Sequence, residues 1–332
     1  MLKSMAEGVL VTDDQGRIVL ANLAMERLFS VTEPEIMGKT IRLGIRNNEI
    51  ADLAAEVTKT RNVVEREISI LFPVEGDFLA LASPVQREGG GVVCVLHDVT
   101  ELRRLERYRS EFLANISHEL KTPLTAIRNY VETLIGGALR DEKHNLEFLN
   151  KIDKHSIGLS SLIDDILELS RLESKKEIGQ FTRLDLVAVI GHAMETVAEK
   201  ARKKNIVIEK SCEGEGFFVQ GLADHTYRAL LNLLDNAVNY TPEGGRVEVS
   251  CRREGDHIMV AVKDTGIGIP EEHLSRIFER FYRVDQARSR ELGGTGLGLA
   301  IVKHVMNLHN GSVSVESQEG KGSVFTLIFP LA

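Results

Sequence analysis

The sequence predicts a multidomain chain with three folded parts in series: an α+β module, an α-helical hairpin that dimerises into a four-helix bundle, and an α/β sandwich. Three observations predict this. β-branched runs punctuated by turns fill the chain to about residue 98, an unbroken apolar stripe at threes and fours starts at Glu101, and strand-like and helix-like runs alternate beyond about residue 180. With 332 residues the chain exceeds a usual single-core domain of ~100 to 200 residues, and the boundaries follow as 1–98, 99–176 and 180–332.

The first part opens with GVLVTD and RIVLAN, two strand patterns joined by the turn Asp14-Gln15-Gly16, and the helical run AMERLFS follows them. REISI, FLALASPV and GVVCVLHDV then read as a later antiparallel set. In the second part the stripe Leu102, Leu105, Phe112, Ile116, Leu120, Leu124, Ile127, Val131 and Leu134 marks a long helix, which Gly136-Gly137 ends. A second stripe runs from Leu146 to Leu172. Two helices bury too little alone, so a homodimer of hairpins is expected. In the third part RVEVSCRR, HIMVAVKD, GSVSVES and SVFTLIFP read as strands, and ADHTYRALLNLLDNAVNY, EEHLSRIFERFY and GTGLGLAIVKHVMNLH as helices.

Composition narrows the function classes. With 41 basic and 49 acidic side chains the net charge is -8, which excludes a general attraction for nucleic acid or an anionic membrane surface. Cys94, Cys212 and Cys251 form no CxxC pair, so neither a disulfide framework nor a zinc site is implied, and a reducing cytoplasm fits. No apolar run approaches the ~18 residues of a membrane span, so this stretch is expected to be soluble. It begins abruptly at a folded-looking segment, and a membrane-anchored portion upstream is therefore expected.

The second part carries a reactive histidine in FLANISHELKTPLTAI. At ~100° per residue His118 lies about 160° to 200° round the helix from Ile116 and Leu120, so it faces away from the apolar stripe. An exposed imidazole with an ordinary pKa near ~6.5 is largely neutral at neutral pH, and a neutral ring nitrogen is a nucleophile. Glu119 stands beside it to orient the ring or accept its second proton, and Pro123 removes a helical hydrogen bond to the Glu119 carbonyl and bends the turn.

The third part carries four short motifs. Asn232, Asn236 and Asn239 fall at i, i+4 and i+7 on one helix face, and a carboxamide oxygen is a hard ligand suited to Mg²⁺. Asp264-Thr265-Gly266-Ile267-Gly268 follows a strand directly. Its carboxylate can accept from the adenine amino group and would be left unpaired by guanine, which selects ATP over GTP. IFERFYR supplies Arg280, Tyr282 and Arg283 for stacking and phosphate contact. Gly293-Gly294-Thr295-Gly296-Leu297-Gly298 opens a helix, whose free N–H groups favour a phosphate. Two other nucleotide folds are excluded. The glycine loop lacks the preceding strand and the G-x-G-x-x-G spacing of a dinucleotide fold, and Gly38-Lys39-Thr40 lacks the first P-loop glycine because position 33 is Glu.

These segments resemble the sensor histidine kinases of two-component systems. SMAEGVLVTDDQGRIVLANLAMERLF with its closing HDVTE is similar to a PAS sensor domain, FLANISHELKTPLTAI to an H-box, and the four motifs to the N, G1, F and G2 boxes of a Bergerat-type ATP-binding domain. The resemblance implies that His118 is the phosphoacceptor and Glu119 an acid/base residue, and that Thr122 orients water for dephosphorylating the partner. It implies ATP and Mg²⁺ as cofactors, with Mg²⁺ on Asn236, and a response-regulator receiver domain as partner. It extends the nucleotide site to Tyr240, Ile269, Leu297 and Leu299, beside Gly266, Gly268, Gly294, Thr295, Gly296 and Gly298. VDQARSREL would be the lid over the nucleotide. Asn239 departs from the pattern, standing where many members carry lysine, which weakens its expected phosphate contact. The PAS-to-H-box stretch is nearest to the phosphate-sensing class, and no cysteine or histidine in it stands out as a flavin or haem attachment. The same ATP domain occurs in clamp ATPases such as gyrase and Hsp90, a second reading against which the H-box argues; a non-catalytic signalling scaffold is a third.

Overall fold

A computed structural model describes residues 5–86, 90–141, 143–174, 179–212, 216–285 and 294–331. The chain divides into two units, Met1–Leu113 and Ala114–Ala332.

The first unit is one antiparallel sheet of five strands in the order β2-β1-β5-β4-β3, formed by β1 (Gly8–Thr12), β2 (Ile18–Ala21), β3 (Val64–Ile70), β4 (Gly76–Pro84) and β5 (Val92–Asp98). Four helices join its second and third strands: α1 (Leu23–Phe29), α2 (Glu33–Ile36), α3 (Ile41–Gly44) and α4 (Asn48–Thr60). α4 is an element that the strand-centred reading passed over, although Ile50, Leu53, Ala54 and Val57 stand at helical spacing and all four are buried. The core combines these with Leu10, Ile18, Met25, Phe29, Ala80 and Leu96.

A long helix, α5 (Thr100–Ile135), begins in this unit. Its start is tied down: the Thr100 N–H donates to Asp98 Oδ1 (2.9 Å), the Asp77 N–H donates to Thr100 Oγ1 (3.0 Å), and Arg107 pairs with Asp77 (2.7 Å). Leu134 is the buried residue of α5, while the stripe residues Leu102, Leu105, Leu124 and Val131 are exposed.

In the second unit α5 turns back through a short 3₁₀ segment, Ala138–Arg140, into α6 (Asn145–Ser174). Tyr130 on α5 meets Phe148 and His155 on α6, with ring centroids 5.9 Å and 6.0 Å apart. The sandwich that follows has a five-stranded sheet in the order β11-β12-β10-β9-β7, made of β7 (Val207–Cys212), β9 (Arg246–Glu254), β10 (His257–Asp264), β11 (Ser312–Gln318) and β12 (Gly322–Pro330). Only β7 and β9 among these neighbours run parallel. A small ribbon pairs β6 (Thr182–Asp185) with β8 (Phe218–Gly221). α7 (Leu186–Lys203), α8 (Ala223–Tyr240) and α10 (Gly298–Leu308) form the helical layer, α8 touching both of the others as well as β10. α7 and β7 were not singled out from sequence, since the polar face of β7 blurs its period.

One predicted element changes form. EEHLSRIFERFY is helical only over α9 (Glu271–Leu274) and then breaks into turns. At the far end of these turns Phe281 sits at φ 62° and gives its N–H to the Gly296 carbonyl (2.8 Å) instead of to a helical partner. That bond needs Gly296 in turn. A Cβ there would lie 2.9 Å from the Phe281 Cα, and its own φ is 74°.

Candidate functional site

Between α8, the end of β10 and the start of α10 lies a cavity of about 290 Å³. α8 packs Leu230, Leu233, Leu234 and Ala237 into the core. Its other face therefore brings Asn232, Asn236 and Asn239 to the cavity wall, together with Tyr240. Asn232 Nδ2 donates to the Gly298 carbonyl (3.3 Å), so this residue also clips α8 to α10. The end of α8 is held by Lys204, whose ammonium donates to the carbonyls of Val238 (2.7 Å), Asn239 (3.0 Å) and Thr241 (2.7 Å).

Asp264 ends β10 at the cavity floor and is 7% exposed. Burial pushes its carboxyl above the usual carboxylate range, against the opposing effect of backbone N–H bonds from Gly266 and Ser323. Gly266 does not line the cavity. Its place is beside Asp264, where a Cβ would lie 2.6 Å from Oδ1 and 2.7 Å from the Tyr240 carbonyl, and its N–H donates to that Oδ1 (2.7 Å). Gly268 has φ 68°, and a Cβ on it would strike the Gln318 carbonyl at 2.0 Å. Gly268 and Ile269 both line the cavity, and the Ile269 N–H is held by Ser317 Oγ (2.8 Å).

From the glycine turn, Gly294, Thr295, Gly296, Gly298 and Leu299 line the cavity, whereas Leu297 is fully buried beneath it. The Leu297 N–H donates to Thr295 Oγ1 (3.2 Å), and among the described residues no side chain caps the first turn of α10. Gly293 lies outside the described residues, as does the segment 286–292 of the expected lid; Val284 and Asp285 line the cavity.

The aromatic motif divides its members. Tyr282 lines the cavity with its hydroxyl 2.7 Å from His273 Nδ1, and Arg283 lines it with a side chain only 8% exposed. Arg280 does not line it. Its guanidinium pairs instead with Glu173 of α6. Arg283 Nε is buried without a hydrogen-bond partner among the described residues, an orphan donor at the edge of a polar cavity.

On α5, His118 is 71% exposed at its side chain and its Nδ1 lies 3.7 Å from Glu119 Oε1. Thr122 Oγ1 donates to the His118 carbonyl one turn back (3.1 Å). Glu119 faces the other way as well, its Oε2 accepting from Arg283 (3.1 Å). The residue next to the histidine is thus bonded to a residue of the cavity wall.

Sequence reasoning missed the share of α6 in this site. Ser161 and Asp165 line the cavity, Asp165 accepting from Thr295 Oγ1 (2.7 Å) and from Arg228 (3.1 Å). Glu168 binds His225 (2.7 Å), and that bond holds its carboxyl below the usual range. The available signal was Ser161, Asp165 and Glu168 recurring at four and three, a polar face on a helix otherwise written for packing.

Comparison with known proteins places each part. The PAS fold matches residues 1–99, the His Kinase A (phospho-acceptor) domain matches 108–175, and the histidine kinase-, DNA gyrase B-, and HSP90-like ATPase matches 221–332. The chain is 34% identical, over 98% of its length and 54% of the other's, to the sensor histidine kinase WalK of Bacillus subtilis (strain 168). It is 32% identical to a sensor protein kinase WalK of Staphylococcus aureus, covering 99% of this chain and 80% of that one. The crystal structure of histidine kinase ThkA in complex with response regulator protein TrrA is similar at a TM-score of 0.53 and 25% identity, across 98% of this chain and 96% of that one. The chain spans about half the length of most of the curated relatives that it matches, 54% for several. Among the described residues no helix is long and apolar enough to cross a membrane.

Proposed function

The chain belongs to the sensor histidine kinase family, and from that premise we propose that it phosphorylates His118 from ATP and passes the phosphoryl group to an aspartate of a response regulator. The observation that carries this reading is the bond from Arg283, a residue of the cavity wall, to Glu119, the neighbour of His118 (3.1 Å). One contact joins the pocket suited to a nucleotide and the exposed imidazole.

The residues fit ATP. Asp264 accepts from the adenine amino group, and its buried carboxylate would be unpaired against guanine. The uncapped N-terminus of α10 and the orphan Nε of Arg283 offer donors to phosphate. Asn236, between Asn232 and Asn239 on the wall, is the residue we assign to Mg²⁺, an ion that keeps most of its waters, takes few protein oxygens and neutralises phosphate charge.

In the reaction a P–N bond forms at Nε2 of His118, because Nδ1 is the ring nitrogen turned to Glu119. The bond from the γ-phosphorus to its bridging oxygen breaks, ADP leaves with the electron pair, and Glu119 takes the Nδ1 proton. Positioning supplies most of the rate. For that, Glu119 must exchange Arg283 for the imidazole. Thr122, one turn along from His118, is the residue we assign to orienting water for hydrolysis of the partner's phosphoaspartate. The exposed stripe Leu102, Leu105, Leu124 and Val131 supports a homodimer through a four-helix bundle. Residence in the cytoplasm, with a membrane anchor elsewhere in the protein, fits the same reading.

Incubation with ATP labelled at the γ-phosphate tests it. Label that is acid-labile, base-stable and absent from His118→Gln is expected, followed by its loss to a receiver domain. ATP hydrolysis without labelled protein would point to the clamp ATPases and overturn the kinase reading.

A further inference from the structure

Among the described residues Asp165 is the one carboxylate that the helical hairpin contributes to the cavity, and it is 8% exposed. Its Oδ2 accepts from Thr295 Oγ1 (2.7 Å), within the glycine turn, and its Oδ1 accepts from Arg228 (3.1 Å) on α8. Arg228 is one turn before Asn232, so it extends the amide face of α8, yet it reaches Asp165 rather than the cavity. Near these groups the uncapped start of α10 and the orphan Arg283 Nε form a donor set for anions.

We propose that Asp165 discriminates between nucleotides by their phosphate number: with α6 seated here, the pocket favours ADP over ATP, and ATP expels Asp165 from Thr295. The inference rests on the nucleotide reading above.

The physical case is a competition of like charges for one donor set. A buried carboxylate held by two donors is stable only while those donors remain its own. ADP leaves the far end of the phosphate region empty. The extra phosphate of ATP brings further negative charge against the glycine turn, where it and the Asp165 carboxylate repel in a medium of low effective dielectric. The repulsion falls when α6 withdraws, so ATP and the seated hairpin oppose each other. Reciprocity then requires that release of α6 tighten ATP by the same factor with which ATP promotes release. The seated arrangement, with Glu119 still bonded to Arg283, is on this account the state between phosphorylation events.

Two substitutions in the full chain separate this from a merely structural role. Asp165→Asn keeps an acceptor for Thr295 but removes the charge, and Arg228→Met leaves the charge without its counter-ion. Calorimetric titration of wild type and both variants with ADP and with the β,γ-imido analogue of ATP, Mg²⁺ present, measures the ratio of the two dissociation constants. Asp165→Asn is expected to tighten the imido analogue about tenfold, with ADP changed by less than about twofold; Arg228→Met is expected to weaken the imido analogue selectively. Opposite shifts of that ratio cannot come from general damage to the fold. An unchanged ratio in both variants, or shifts of the same sign, overturns the proposal. A wild type that binds neither nucleotide overturns the nucleotide reading, and this inference with it.

Discussion

Each unit is built on a five-stranded sheet flanked by helices, and the two differ in what they do with polar groups on the buried side. In the first, Asn22 is 1% exposed and fully engaged: its Oδ1 accepts from Val9 N–H (2.9 Å) and Met25 N–H (3.0 Å), and its Nδ2 donates to the Glu7 carbonyl (2.7 Å). In the second, Asp264 is 7% exposed with its pKa raised by burial, and Arg283 Nε is buried without a partner among the described residues. A satisfied buried polar group stabilises its fold, whereas an unsatisfied one costs free energy and persists where a ligand completes it. The contrast sets Arg283 of the cavity wall apart from Asn22, although Thr241 Oγ1, also buried without a partner among the described residues, lies off the cavity.

The largest effect that follows is at Asp264. With Oδ1 pinned by the Gly266 N–H (2.7 Å), Asp264→Asn is expected to turn its amide nitrogen to the adenine amino group, and ATP binding to fall by at least about a hundredfold. Stability should move the other way. A carboxyl whose folded pKa lies above its unfolded value destabilises the fold when ionised. That cost is full above the folded pKa, shrinks as pH falls through it and is gone below the unfolded value. The variant is therefore expected to melt at or above the wild-type temperature at pH 7, with the gap closing on acidification. A variant that loses both ATP and stability would make Asp264 a structural residue and break the comparison.

The opposite pattern is expected at Asn22. Asn22→Ala strands the Val9 and Met25 N–H groups and uncaps α1, at a cost of about 2 to 4 kcal/mol. Urea unfolding followed by circular dichroism should show the destabilisation while ATP affinity stays at the wild-type value. Weakened ATP binding in this variant would mean that the two kinds of buried polar group are not separable.

The same contrast explains how much was legible in the sequence. Motifs that are local in the chain declared themselves: the amide face at Asn232, Asn236 and Asn239 needs only helical spacing, and the exposure of His118 needs only its angle to Ile116 and Leu120. α4 was equally legible from Ile50, Leu53, Ala54 and Val57, but its four apolar residues stood in a stretch being read for strands. The break after Leu274 was not legible, and neither was the bond from the Phe281 N–H to the Gly296 carbonyl across the chain that follows it. Nor was Asp165, whose partner Thr295 lies 130 residues further on. The polar spacing Ser161, Asp165 and Glu168 marks a face of α6 but not what that face meets, since its partners are distant in sequence, and Arg280 went to Glu173 for the same reason.

The smallest effect concerns His309, 3% exposed, which joins the end of α10 to the start of α8. Its Nδ1–H donates to the Val305 carbonyl (2.7 Å) and its Nε2 accepts from the Leu222 N–H (2.9 Å), a pattern that only the neutral ring can make. Burial lowers its pKa, opposed by the Val305 bond. Above the unfolded value the ring is neutral in both states and stability does not depend on pH through it. As pH falls below that value the unfolded chain takes up the proton first, and stability is lost at up to about 1.4 kcal/mol per pH unit until the folded ring also titrates. His309→Gln removes this titration at the cost of a poorer fit at pH 7. Melting temperatures of the two proteins are therefore expected to converge as pH falls below the unfolded value of about 6.5, whereas Asp264→Asn and wild type converge because the wild type loses a burden rather than a support. Parallel curves for His309→Gln and wild type would show that the ring is not held neutral, and the second unit would lose its example of a satisfied buried group beside the site.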